Sequence, residues 1–234
     1  MPRATLRLLG SADPADPTAT TAVSRFLAEP ERRGSYPTVT SPAVDPQAGR
    51  CGRCLFREEH CLCASIPRLV THTRVVILRH HSERYRSSNS GRLAHLALDG
   101  SAMRDLFGPD RAAVDLPINP GAWLVFPEGE PWTAPPAPRP RELVFLDATW
   151  QQARRMRQRV AALRGMPILA LATTGGAARM RRAPRPEQVS TIEAIAAALR
   201  LVEGGSAPAA LEQLFAVAVE RMGRTGRGIV PRTG

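Results

Sequence analysis

From Thr73 onward the chain alternates two patterns: short apolar runs, and longer segments whose apolar residues recur every three or four positions. A short run bounded by turn residues reads as a buried strand, and the longer spacing as an amphipathic helix. On this criterion "RVVILRH" (74–80), "AWLVFPEGE" (122–130, ending in a turn), "ELVFLDA" (142–148) and "MPILALA" (166–172) are strands. "SNSGRLAHLAL" (88–98), Trp150 to about Leu163, "STIEAIAAALRLVE" (190–203) and "APAALEQLFAVAVERM" (207–222) are helices. "PWTAPPAPRP" (131–140) holds five prolines in ten residues and is a loop, because proline fixes φ and removes a backbone donor. Strands alternating with helices predict an α/β domain with a mostly parallel sheet and flanking helices.

Residues 1–48 are rich in Pro, Ala, Thr and Asp without sustained periodicity, so a disordered or loosely attached extension is expected there. A small cysteine-rich segment follows at 49–72, then the α/β domain at 73–225 and a flexible tail at 226–234. The longest apolar runs are too short to span a bilayer, which takes roughly 18 residues. The first residues lack the apolar stretch of a secretory signal, so a cytoplasmic protein is expected.

The cysteine segment carries the first candidate chemistry. Cys51, Cys54, Cys61 and Cys63 lie within 13 residues, spaced C-x2-C-x6-C-x-C. Four thiolates close a tetrahedral site around Zn²⁺, and a C-x2-C knuckle presents two sulfurs on one turn. A redox pair and ordinary thiols are the competing uses, and His60 is an alternative ligand because C-x-C is a cramped pair. Four protein ligands leave no open position for water, so a structural zinc is expected.

In parallel α/β sheets, ligands bind beyond the carboxyl ends of the strands. Asp147 stands at such an end, as do "FPEGE" (126–130) and "ATTGG" (172–176). A helix-capping role is the ordinary use of an aspartate at this point. However, Thr149-Trp150-Gln151-Gln152 is itself a T-x-x-Q capping box. If Thr149 caps the helix, Asp147 is left to face the pocket. Trp150 falls in helical register with Ala153, Met156, Val160 and Leu163, which suits a core residue, yet its place beside Asp147 also suits a stacking platform. Ser190 and Glu193 form a second capping box.

Charge narrows the partner. The formal net charge is +11, from 32 basic residues against 21 acidic ones, and every basic residue is arginine. The choice of arginine suits a GC-rich genome, whereas the surplus suits a polyanionic partner, nucleic acid first. Absence of lysine excludes a P-loop and a Schiff-base lysine. Arg154, Arg155 and Arg159 lie on the polar face of the helix after Asp147. Arg179, Arg181, Arg182 and Arg185 form a proline-interrupted loop suited to phosphate.

In order along the chain stand "CxxC…CxCxxIP", "HHSE…NSGRLA", "DATWQQAR" and "RRxP…STIEA". Together they resemble the DTW-domain family, whose Asp-x-Thr-Trp signature appears as Asp147, Thr149 and Trp150, and the resemblance covers about residues 49–203. It departs from the family at Ala178, where Tyr or Leu is common, and at Ser90, where Thr is common. The resemblance implies a tRNA-uridine aminocarboxypropyltransferase. Such an enzyme moves the 3-amino-3-carboxypropyl group of S-adenosylmethionine onto N3 of a tRNA uridine and releases methylthioadenosine. It also implies kinship with the SPOUT methyltransferases, hence a knot near the cofactor. On this footing Asp147 is the expected base, or else a ligand of the donor's ammonium group. Phe126, Pro127, Glu128, Gly129, Asp147, Thr149, Trp150, Leu171 and Thr173 are the expected cofactor contacts. Arg154, Arg155, Arg181 and Arg182 are the expected tRNA phosphate contacts. A SAM-dependent RNA methyltransferase and a non-enzymatic zinc-bearing RNA-binding module are the rival readings.

Overall fold

The apolar runs become one sheet. In the computed structural model, which describes residues 48–108, 116–172, 180 and 189–224, the strands are β1 (Arg74–His80), β2 (Ala102–Leu106), β3 (Trp123–Val125), β4 (Glu142–Asp147) and β5 (Ile168–Leu169). Their order is β2-β1-β4-β3-β5, and every pairing is parallel. The helices are α1 (Ser90–Ala97), α2 (Trp150–Arg159), α3 (Thr191–Val202) and α4 (Ala207–Arg224). The expected α/β class with a parallel sheet and flanking helices is what forms. The described residues belong to the unit Val44–Gly234, so the expected extension at 1–48 lies almost wholly outside them. The chain between β5 and α3 passes through 173–179 and 181–188, which also lie outside the described residues.

Strand pleating sends alternate residues to opposite faces, and the core divides accordingly. Val75 and Ile77 of β1 and Leu143 and Phe145 of β4 pack with α1, α3, α4 and the cysteine segment. Val76 and Leu78, with Val144, pack with Ala153 and Met156 of α2 on the other face. Both faces are covered, which is why these strands read as continuous apolar runs rather than alternating ones.

Four elements differ from the sequence expectation: β3 (Trp123–Val125) and β5 (Ile168–Leu169) are much shorter than the runs 122–130 and 166–172, and β2 and α2 differ as follows. Strand β2 was not anticipated, because "AMRDL" carries two charges and lies at the sheet edge, where only Leu106 is buried. Helix α2 ends at Arg159 instead of near Leu163. Val160 turns extended, and a short 3-10 turn over Ala161–Leu163 still carries Leu163 into the core.

At the amino end of β4, the buried Glu142 accepts from Arg74 Nη1 at 2.5 Å and from Asn119 N and Nδ2, each at 2.7 Å. The entrance to the central strands is thereby tied to the loop preceding β3. Leu143 is fully buried, whereas Val70 is 81% exposed. Leu143→Ala should cost about 2–5 kcal/mol in denaturant unfolding, and Val70→Ala less than about 0.5 kcal/mol. Equal midpoints for the two variants would contradict this assignment of the core.

Candidate active site and metal centre

Because all five strands run parallel, their carboxyl ends meet at one edge. Asp147 continues the parity of Leu143 and Phe145, so its side chain enters the α1/α3 face. There it is 1% exposed. Asn89 Nδ2 donates to its Oδ2 at 2.5 Å, and Thr191 Oγ1 donates to its Oδ1 at 2.7 Å. Asn89 is also the cap of α1, its Oδ1 accepting from Arg92 N at 2.8 Å. Thr191 opens α3, whose cap is the predicted Ser190–Glu193 box. One carboxylate therefore sits between the amino ends of two helices, where partial positive charge favours an anion. Gly91 permits this close approach, since a Cβ there would lie 2.7 Å from the Asp147 carboxyl carbon. Burial pushes the Asp147 carboxyl above its ordinary range, and the Thr191 and Asn89 donors oppose that shift.

The Thr149–Gln152 capping box forms as the sequence implies. The carboxylate it leaves uncommitted is nevertheless not open: both of its oxygens are engaged and covered. On the same face, Arg79 stands in register with Asp147 on one side and Asp105 on the other. Its guanidinium forks onto Asp105 at 2.6 and 3.1 Å.

The other expected contacts are spread along the same edge. Trp150 is half-buried, its ring tilted against Phe126 with centroids 6.2 Å apart. Phe126 is buried, and the Arg157 guanidinium lies 5.2 Å over its ring. Arg157 also donates to Glu128 at 2.5 Å, so α2 is latched to the "FPEGE" turn, where Gly129 takes a positive φ of 86° and Pro127 is exposed. Leu171 pairs with Trp132 in a parallel bridge. Arg154 and Arg155 are exposed on α2. Thr173, Arg181 and Arg182 lie outside the described residues. A groove of about 760 Å³ lined by Ile118, Gly121, Val160, Met166 and neighbours opens at the opposite, amino edge and shares no residue with this set.

Sequence reasoning missed Asn89, Gly91 and Thr191 as partners of Asp147, and His80 as a neighbour. His80 ends β1 on the α2 face, and its Nδ1 lies 2.9 Å from Ser82 Oγ and 3.3 Å from Gln152 Nε2. The motifs "HHSE", at the end of β1, and "NSG", at the start of α1, held part of the signal as short polar strings at element ends.

The four cysteine sulfurs lie within 4.8 Å of one another. Cys51 and Cys63 are 3.5 Å apart and Cys54 and Cys61 3.8 Å apart, with no disulfide among them. Tetrahedral Zn–S bonds of about 2.3 Å place sulfurs about 3.8 Å apart, so the donor set fits zinc. His60 is not in the cluster; its ring faces Glu59 at 3.7 Å. Backbone donation from Cys54 and Arg53 draws the Cys51 thiol down to about 6, whereas burial pushes the Cys54 and Cys63 thiols up, Cys63 to about 12. The segment packs on the helical core through Cys54, Phe56 and Leu62, and Arg221 of α4 donates to the Cys61 carbonyl and to Ser65 Oγ.

The DTW domain family model matches residues 48–223. The chain belongs to the DTW domain family. The match spans the cysteine segment, the whole sheet and nearly all of α4, so the resemblance seen in four short motifs extends over the entire described unit. No solved structure matches the chain.

The metal centre has a direct check. Purified protein should carry one zinc ion, and a strong chelator should lower its unfolding midpoint, because a metal that binds the folded state stabilises it by linkage. Zinc-free protein with four freely titrating thiols and an unchanged midpoint would contradict the assignment.

Proposed function

We propose that this DTW-domain protein is a tRNA-uridine aminocarboxypropyltransferase using S-adenosylmethionine as co-substrate. The observation that carries the reading is family membership over residues 48–223, joined to the placement of the signature Asp147 at the carboxyl edge of a parallel sheet. The surplus of 32 basic over 21 acidic residues supports a tRNA partner, and a cytoplasmic location goes with that partner.

The co-substrate supplies an electrophilic carbon on its sulfonium. Uracil N3 loses its proton and forms the new N–C bond, while the C–S bond breaks and its electron pair leaves with methylthioadenosine. All three carbons on the sulfonium are electrophilic, so orientation selects the product. The turn Phe126–Gly129, the signature Asp147–Trp150, and the chain at Leu171 and Thr173 are the segments proposed to set it. Asp147 is the proposed base. Burial raises its pKa, which makes the ionised carboxylate a stronger base. A nucleobase against the α1 and α3 amino ends would replace one of its two donors. Arg154 and Arg155, with Arg181 and Arg182, are proposed to hold phosphates.

Incubation with carboxyl-labelled S-adenosylmethionine and total tRNA, followed by nucleoside mass analysis, tests the reading. The expected result is label in a uridine derivative and release of methylthioadenosine. S-adenosylhomocysteine as the by-product would instead identify a methyltransferase. Absence of any co-substrate binding would leave an RNA-binding module.

A further inference from the structure

Two arginine side chains beside Asp147 carry donors that the protein itself does not use. Arg79, near the end of β1, is 6% exposed, and its Nε and Nη2 fork onto Asp105. That leaves Nη1, which is buried without an acceptor among the described residues. Arg92, in the first turn of α1, is in the same condition. Its Nη2 donates to the Arg84 carbonyl at 2.5 Å, while its Nε is buried without an acceptor. A guanidinium N–H shut away from water with nothing to donate to is costly. Two of them at one edge are the ready half of an anion site.

Both guanidiniums belong to the Asp147 site. Arg79 is the register partner of Asp147 across the β1–β4 pair and shares its face of the sheet. Arg92 follows the glycine whose Cβ would strike the Asp147 carboxyl group. Their charges act on the same neighbours. Burial, then Arg79 and Arg92, lowers the pKa of His95. Burial, then Arg79, lowers that of Arg92, with Asp105 and Asp147 opposing. Arg79 also works against the burial-driven rise at Asp147. The nearby acids are committed elsewhere or shared. Glu83 faces Arg86 at 3.3 Å, Asp147 is held by Asn89 and Thr191, and Asp105 is shared between Arg79 and Arg84. The cluster reaches solvent at Arg84, which is 48% exposed and keeps a loose 3.5 Å contact with Asp105.

We infer that Arg79 Nη1 and Arg92 Nε bind the carboxylate of the co-substrate's aminocarboxypropyl arm. This proposal rests on the transfer reading and names the part of the co-substrate that the β1–α1 side of the site holds. A carboxylate has two oxygens and suits one N–H from each of two guanidiniums. It is small enough for a buried subsite. A phosphodiester brings a ribose on either side and suits exposed arginines such as Arg154 and Arg155. The carboxyl carbon lies three bonds from the carbon that uracil N3 attacks. Anchoring it beside Asp147 therefore turns that carbon, rather than the sulfonium methyl, toward the base, and this orientation selects aminocarboxypropyl transfer. The carboxylate stays on the arm through the reaction, so the same two donors hold the group before and after its C–S bond breaks. Arg79, placed between Asp105 and Asp147 in the strand register, screens the bound anion from the base.

The test is calorimetric binding of S-adenosylmethionine, its decarboxylated analogue and methylthioadenosine to the full chain. Wild type should bind the decarboxylated analogue about 100-fold more weakly than S-adenosylmethionine. Arg92→Gln should fold, as thermal unfolding checks. It should bind S-adenosylmethionine at least about tenfold more weakly and the other two ligands as wild type does, so that the preference for the carboxylated donor shrinks. Arg92→Lys, which keeps the charge, should restore part of that preference. Arg79→Lys keeps a cation for Asp105 and removes Nη1, and should shrink the preference as Arg92→Gln does. A variant that weakens all three ligands equally, or none, would overturn the assignment. So would Arg92→Gln with intact S-adenosylmethionine affinity and weaker tRNA binding of shallower salt dependence, which marks a phosphate site. Aminocarboxypropyl product from wild type, with no preference in either protein, would overturn the anchor and uphold the transfer reading. A preference lost in Arg92→Gln, with S-adenosylhomocysteine as the wild-type by-product, would support the anchor and defeat that reading. Failure of wild type to bind S-adenosylmethionine would overturn both.

Discussion

Two hydrogen bonds to one buried carboxylate organise the carboxyl edge of this protein. Removing a carboxylate from water is costly unless donors replace the water. At Asp147 the replacements are Asn89 and Thr191, backed by the amino ends of α1 and α3. Each donor has a second duty in its own helix, Asn89 as the cap of α1 and Thr191 as the first residue of α3. The carboxylate therefore fixes where two helices begin. Gly91 is bound to the same constraint, because any side chain there would collide with the carboxyl group.

The sheet divides the labour at this edge by parity. Odd-numbered residues of β1 and β4 face α1, α3 and α4, and even-numbered ones face α2. Arg79 and Asp147 fall on the first face, while His80 falls on the second, beside Gln152. The Thr149–Gln152 capping box joins the two sides. It starts α2, leaves Asp147 uncommitted to that helix, and passes the Gln152 amide to Ser82 and His80. On the far side of the helical layer, the cysteine cluster and the Arg221 contacts hold the segment before β1 against α4.

Much of this was legible in the sequence because buried parallel strands are written as unbroken apolar runs and capping boxes have a fixed spacing. Strand β1, both capping boxes and the order of elements follow from those two signals. What could not be read is what depends on contacts between distant segments. Asn89 and Thr191 are 58 and 44 positions from Asp147 in the chain, and no local pattern pairs them. The edge strand β2 was invisible because an edge strand with one covered position need not be apolar.

The most direct measurement compares Asp147→Asn with wild type in single-turnover transfer to tRNA, with unfolding followed in parallel. An asparagine can still accept from Asn89, and the Thr191 hydroxyl can rotate to accept from the new amide, so the fold should survive. Burial raises the Asp147 pKa, so the stability it contributes is full at low pH and lost as pH rises through the folded value. The variant should therefore be at least as stable as wild type at pH 8. The account predicts intact structure with the chemical step slowed at least about 100-fold. Full-rate transfer by a folded variant, or a loss confined to co-substrate affinity, would contradict it.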